Sequence, residues 1–201
     1  MQSENRTPEL VGIEQVSDGW IKKYILTYRL ANGTLHPYEC ASRKGIDAFR
    51  AGLEANAAGT AGNAGDAVCI VAKTPRNTLV MIREFRYPLN SWCIAFPAGL
   101  VNAGEDVVEC ALRELAEETG YKALPRADIR VLPQAGYSST GMTDETVRVV
   151  FVEAEKAGDA QTEPGELIEV FELPIPNVRA FLDSNKLPIG TRAQLVLEMF
   201  A

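Results

Sequence analysis

The segment GLVNAGEDVVECALRELAEETGY, from Gly99 to Tyr121, holds five glutamates in twenty-three residues. Its spacing admits little other than an amphipathic helix with a defined start and stop. Asp106 followed by Glu109 is a D-x-x-E pattern, an N-cap with a reciprocating glutamate. Gly120 stands where a left-handed C-cap ends a helix. Between them Val108, Ala111, Leu112 and Leu115 recur at three and four residues and form a core-facing stripe. Glu114, Glu117 and Glu118 share a second face, where like charges repel and weaken an isolated helix. One reading is a wet acidic face. The other is a cation site, because hard oxygen ligands suit Mg²⁺ or Mn²⁺, and Mg²⁺ commonly uses a few carboxylates plus substrate phosphates. Arg113, beside Glu114, is placed to hold a carboxylate.

Charge narrows the partners. A net charge of −7 argues against a basic face for nucleic acid or anionic membrane, but not against a small anionic ligand. His36 is the single histidine, which excludes sites built on several imidazoles. Cys40, Cys69, Cys93 and Cys110 are scattered without a CxxC pair and read as reduced thiols. The start MQSENRTPEL lacks a basic region followed by an apolar run, and no window approaches about eighteen apolar residues. The expectation is a soluble, cytoplasmic protein.

Along the chain, GWIKKYILTYRL and TLHPYECAS read as strands joined at Ala31-Asn32-Gly33. Residues Ala51 to Asp66 are almost all small, a loop or linker, or a short helix followed by a loop. AVCIVAK, TLVMIREFR, VRVVFVEAE and LIEVFELP read as strands, and IPNVRAFLDSN and GTRAQLVLEMF as helices. The class expected is a mixed α/β (α+β) core over residues 61–201, with a small β-rich unit and linker over 1–60.

The order Gly99, five residues, Glu105, seven residues, then Arg-Glu-Leu-Ala-Glu-Glu-Thr-Gly-Tyr resembles the Nudix box, G-x5-E-x7-R-E-U-x-E-E-x-G-U, with U bulky and apolar. Every fixed position is met. The resemblance implies a Nudix hydrolase, with a mixed sheet sandwiched between helices, that cleaves a nucleoside diphosphate linked to another moiety. It implies metal binding by Glu114, Glu117 and Glu118, with the Ala98 carbonyl as a further ligand. Arg113 and Glu105 would hold the loop–helix–loop in shape.

Outside the box, REFRYPLNSWCIAFPAGL, PGELIEVFELP and the β-rich start are similar to the ADP-ribose pyrophosphatase branch, loosely from Trp20 to the end. This implies a homodimer in which the N-terminal units swap, with ADP-ribose cleaved to AMP and ribose 5-phosphate. Trp20 and Tyr38 match an aromatic pair that sandwiches the base; the alternative for both is ordinary strand packing. Arg43 matches an arginine that reaches the substrate, and Arg86 one on the diphosphate, where a guanidinium fork suits two oxygens. Glu166 is the first choice of general base; Glu163, Asp144 and Glu145 stay open.

Two departures bear on the substrate. Ala135-Gly136-Tyr137 stands where the branch shows proline-glycine, and a tyrosine there marks diadenosine-polyphosphate hydrolases. Ala95 stands where relatives often carry glutamate. A nucleotide-sugar pyrophosphatase acting on GDP-mannose or a UDP-sugar is the nearest rival, and a non-catalytic nucleotide sensor the remote one.

Overall fold

The computed structural model describes residues 7–125 and 127–201, so MQSENR, read above for a leader, lies outside the described residues. The chain divides into two units: Met1–Asn63 with Gly136–Thr146, and Ala64–Ala135 with Val147–Ala201. Gly136–Thr146, though inside the 61–201 span, groups with the N-terminal unit.

In the smaller unit β1 (Glu9–Gln15), β2 (Lys22–Arg29) and β3 (Leu35–Ser42) form an antiparallel sheet in that order. Its cross-strand pairs include Leu26↔Tyr38 and Tyr24↔Cys40. Helix α1 (Ile46–Ala58) packs on one face through Phe49, whose ring centroid lies 4.5 Å from that of Tyr24. Of the small-residue stretch 51–66, the part to Ala58 ends this helix, as alanine's high helix propensity favours, and the rest is a loop beginning at the C-cap Gly59, the helix-then-loop alternative offered by the sequence.

The larger unit is built on strands buried on both sides. In β4 (Ala67–Lys73) the residues Ala67 to Ala72 are all buried, the pattern of a strand covered on both faces. β5 (Thr78–Arg86), β6 (Ser91–Ala95) and β7 (Ala98–Leu100) follow, then α2 (Val107–Thr119), β8 (Tyr121–Ala123) and β9 (Arg130–Val131). The chain next contributes β10 (Gly136–Tyr137) to the smaller unit, then β11 (Thr146–Lys156), β12 (Ile168–Pro174), α3 (Val178–Ser184) and α4 (Thr191–Glu198). The sheet runs β11-β4-β5-β12, with β6 on β5 and β7 on β4. β11 pairs parallel with β4 and the other pairings with β4 and β5 are antiparallel, so the sheet is mixed.

Alternation sorts its side chains into two cores. Cys69, Val71, Leu79 and Met81 pack with Val178, Ala193 and Leu197 of the C-terminal helices. Val68, Ile70, Ala72 and Val80 pack with Cys110, Ala111 and Leu115 of α2. Helices thus cover both faces, as the sequence implied. Among the described residues no helix is long and apolar enough to cross a membrane.

Candidate metal and phosphate site

The expected caps set the ends of α2. The Asp106 carboxylate accepts from the Val108 N–H at 2.8 Å, and Gly120 takes the left-handed conformation at φ +68. A Cβ at Gly120 would also collide with the Gly158 carbonyl, so no other residue fits there without movement.

Arg113 organises the acidic face. Its Nε and Nη2 donate to Glu105 at 2.7 and 3.0 Å, and its Nη1 donates to Glu114 at 2.7 Å and Glu117 at 3.0 Å. Nη2 also reaches the Leu100 carbonyl, tying the helix to the preceding loop. The like charges expected to weaken the helix are therefore gathered on one guanidinium. Glu105 also accepts from the Asn102 N–H at 2.9 Å. The Arg113 bonds, and then the Asn102 bond, hold its carboxyl down at about 2, against an ordinary 4.5.

A carboxylate whose folded pKa is depressed adds stability above its unfolded pKa and loses it as pH falls through the folded value. Glu105→Gln is therefore expected to lower the urea midpoint at neutral pH. The gap from the parent should close as pH falls from 4.5 to about 2. A gap that stays constant over that range would overturn the assignment.

Glu118 differs from its neighbours. It is 5% exposed, and it accepts one hydrogen bond from the Ala98 N–H at 3.0 Å. Desolvation pushes its carboxyl up to about 8, and the charges of Glu114, Glu84 and Glu166 push the same way. Burial likewise raises Glu114, against the pull of Arg113. Among the described residues no three His, Cys, Asp or Glu side chains converge as a preformed cation set, because Arg113 stands between Glu114 and Glu117. The donor set nonetheless fits a hard divalent cation. A buried carboxylate with acidic neighbours and no cationic partner gains most from one, and Glu117, half exposed, can turn toward it. Ala98 meets this site through its N–H; the resemblance assigned its carbonyl to the metal.

At the end of β5, Arg86 Nη1 donates to Glu84 at 3.0 Å and the guanidinium is otherwise exposed. Glu84 was absent from the sequence reading. The signal lay in the alternation Val80, Ile82, Glu84, which continues the α2-facing side of β5, and in the pairing Ile82↔Ala95 and Glu84↔Cys93. Glu84 thus lies on the same sheet face as Ala95, the position where the expected glutamate is missing. Glu166 lies near enough to raise both Glu114 and Glu118, and its carboxylate accepts from the Glu163 N–H at 3.0 Å.

The other substrate candidates lie in the smaller unit. Tyr38 donates to the Gly141 carbonyl at 2.8 Å, and Trp20 is 73% exposed. Lys22 pairs with Ser42 and Leu26 with Tyr38, so Trp20 and Tyr38 sit at different levels of the ladder; among the described residues the only ring near Tyr38 is His36, at 6.5 Å. Arg43 is ion-paired to Glu145 at 2.7 Å and Lys44 to Asp144 at 2.8 Å. Both loop carboxylates are thus engaged in ion pairs within the smaller unit.

A family model described as NUDIX domain matches residues 64–189. The chain is 30% identical over 185 residues to an "ADP-sugar pyrophosphatase" of Mus musculus, a match that covers 85% of this chain and 75% of that protein. It is 34% identical over 122 residues to an "ADP-ribose pyrophosphatase" of Bacillus subtilis, covering 60% of this chain and 64% of that one. A solved structure titled "Crystal structure of ADP compounds hydrolase" superposes with a TM-score of 0.73 over 98% of this chain and 94% of that one; at 21% identity this likeness speaks for the fold.

Proposed function

The chain belongs to the Nudix family, and from that premise we propose that it is a Mg²⁺-dependent hydrolase of ADP-ribose, giving AMP and ribose 5-phosphate. The observation that carries the reading is the buried, acid-flanked Glu118 carboxylate at the end of an intact loop–helix–loop held by Arg113. The names of the mouse and Bacillus relatives support the substrate.

In this reading Glu114, Glu117 and Glu118 hold the cation, with the Ala98 carbonyl beside them. A bound divalent cation neutralises the pyrophosphate, activates water and stabilises the leaving phosphate. Glu166 accepts the proton of the attacking water, whose oxygen bonds to one phosphorus as the bridging P–O bond breaks. Arg86 holds diphosphate oxygens, and Glu84 keeps its guanidinium oriented until they arrive. Arg43 exchanges Glu145 for the substrate. Trp20 and Tyr38 of one subunit of a cytoplasmic homodimer contact the base in the other subunit's site.

Incubation with Mg²⁺ or Mn²⁺ and a panel of ADP-ribose, GDP-mannose, UDP-glucose, diadenosine polyphosphates and NADH tests the substrate. AMP formed fastest from ADP-ribose is the expected result. Faster turnover of a GDP- or UDP-sugar would assign the nucleotide-sugar reading. Preference for a diadenosine polyphosphate would make Tyr137 the better guide.

A further inference from the structure

Strand β5 stops at Arg86, where the chain enters the 3-10 turn Tyr87–Leu89, and Pro88 within that turn has no N–H to continue a ladder. Its partner β12 begins at Ile168, paired with Glu84. The antiparallel register nevertheless runs on past the start of β12. The Phe85 N–H donates to the Leu167 carbonyl at 3.0 Å, so Glu166 stands level with Arg86 and Gly165 with Tyr87. In an antiparallel ladder every second pair is hydrogen-bonded, which makes Tyr87 and Gly165 the next pair due. Tyr87 supplies that bond with its side chain. Its hydroxyl donates to the Gly165 carbonyl at 3.1 Å.

The ring that carries this hydroxyl is set by its neighbours. Phe85 meets Tyr87 edge-on with centroids 5.4 Å apart, and meets Trp92 of β6 edge-on at 6.0 Å. Phe85 and Trp92 are themselves a cross-strand pair, and the Arg83 guanidinium lies over the Trp92 ring at 4.9 Å. Tyr87 is 65% exposed, so its hydroxyl is no part of the core.

Gly165 precedes Glu166, the proposed base, on the loop between β11 and β12. Further back, this loop is tied to the acidic helix, where the Gln161 N–H donates to the Glu117 carbonyl at 2.7 Å. Between these points Glu163 and Glu166 close a turn on each other. The Glu166 N–H donates to the Glu163 carbonyl at 2.9 Å, and the Glu166 carboxylate accepts from the Glu163 N–H at 3.0 Å. That turn orders its own four residues but does not fix them to the sheet. The bonds at Leu167 and Gly165 do so.

We infer that Tyr87 is a positioning residue for hydrolysis: its hydroxyl latches the loop at Gly165 and so sets where the Glu166 carboxylate stands relative to Arg86 and to the acidic face of α2. The inference rests on the reading of Glu166 as the base. A base must lie within hydrogen-bond reach of the water it activates, and a displacement of about 1 Å slows the chemical step. Every residue of the latch belongs to the larger unit.

The test compares Tyr87→Phe with the parent, alone and in a Glu166→Gln background, using the full chain, saturating Mg²⁺ and the fastest substrate of the panel above. Tyr87→Phe keeps the ring against Phe85 and loses only the hydroxyl, so its thermal melt should match the parent's. Its kcat should fall about five- to tenfold, the size of one hydrogen bond, with KM changed by less than about twofold. In the Glu166→Gln background, already slow, the same substitution should cost little more. Amide hydrogen exchange of the substrate-free protein reads the latch directly, and residues 163–168 should exchange faster in Tyr87→Phe. Unchanged exchange, an unchanged kcat, or an equal loss on top of a slow Glu166→Gln would each overturn the inference. A Glu166→Gln variant as active as the parent would instead fault the base assignment, and exchange alone would then decide whether Tyr87 holds the loop.

Discussion

Glu118→Gln is expected to abolish most hydrolysis while leaving the metal-free protein at least as stable as its parent. The two effects have one cause. The carboxylate is buried beside Glu114, Glu84 and Glu166 with one N–H for company, an arrangement that costs folding energy unless a cation is bound. Glutamine keeps the shape and accepts from Ala98 N–H without the charge. Loss of a fixed electrostatic contact to the reacting groups lowers kcat by about 10²- to 10³-fold. Chelator-treated parent and variant would be compared in urea at pH 8, then again with saturating Mg²⁺. The parent should gain stability with the ion, and the variant should gain little. A variant that loses activity and also unfolds more easily without metal would show that Glu118 is a structural residue. An active variant would remove it from the site.

That combination explains why so acidic a helix is tolerated. Arg113 spreads its charge over Glu105, Glu114 and Glu117, which leaves Glu118 as the uncompensated member. Stability is given up at one buried position where binding a cation restores it.

The helix, its caps and its stripe were legible because their determinants are local. Asp106, Gly120 and the apolar spacing lie within one segment, and each acts through bonds inside that segment. Strand β4 was legible from its unbroken apolar run. Glu84 was not, because the alternation Val80, Ile82, Glu84 groups it with one face of β5 without saying which face meets α2, and the pairing with β6 is not written in TLVMIREFR. Its neighbourhood with Ala95 is a fact of register. The attachment of Gly136–Thr146 to the N-terminal unit was hidden for a related reason. Its ties run to Tyr38, Ala41, Arg43, Lys44 and Asn56, most of them about a hundred residues earlier in the chain, and no local pattern announces such partners. Tyr137 could be noticed as a departure but not placed. Asp144 and Glu145, the second candidate pair for the base after Glu166, proved to be ion-paired to Lys44 and Arg43, partners that no local pattern announces.

Gly99 carries the second large effect. It begins the box and lies in β7 without a positive φ, so an alanine backbone fits there. The side chain does not: a Cβ would fall well inside contact distance of the Glu114 carboxyl carbon and both its oxygens. Glycine is required here to leave room for a carboxylate, and not to permit a turn. Gly99→Ala must therefore push Glu114 away from Arg113 and from the cation position. A misplacement of this size in a catalytic site costs about 10²-fold in rate. The displacement is specific, so a double-mutant cycle can isolate it. In a Glu114→Gln background, where the carboxylate has already lost its charge, Gly99→Ala should slow turnover little further. If the two losses multiply, Gly99 acts through the fold of the loop and not through Glu114. A fully active Gly99→Ala would mean that Glu114 works from another position.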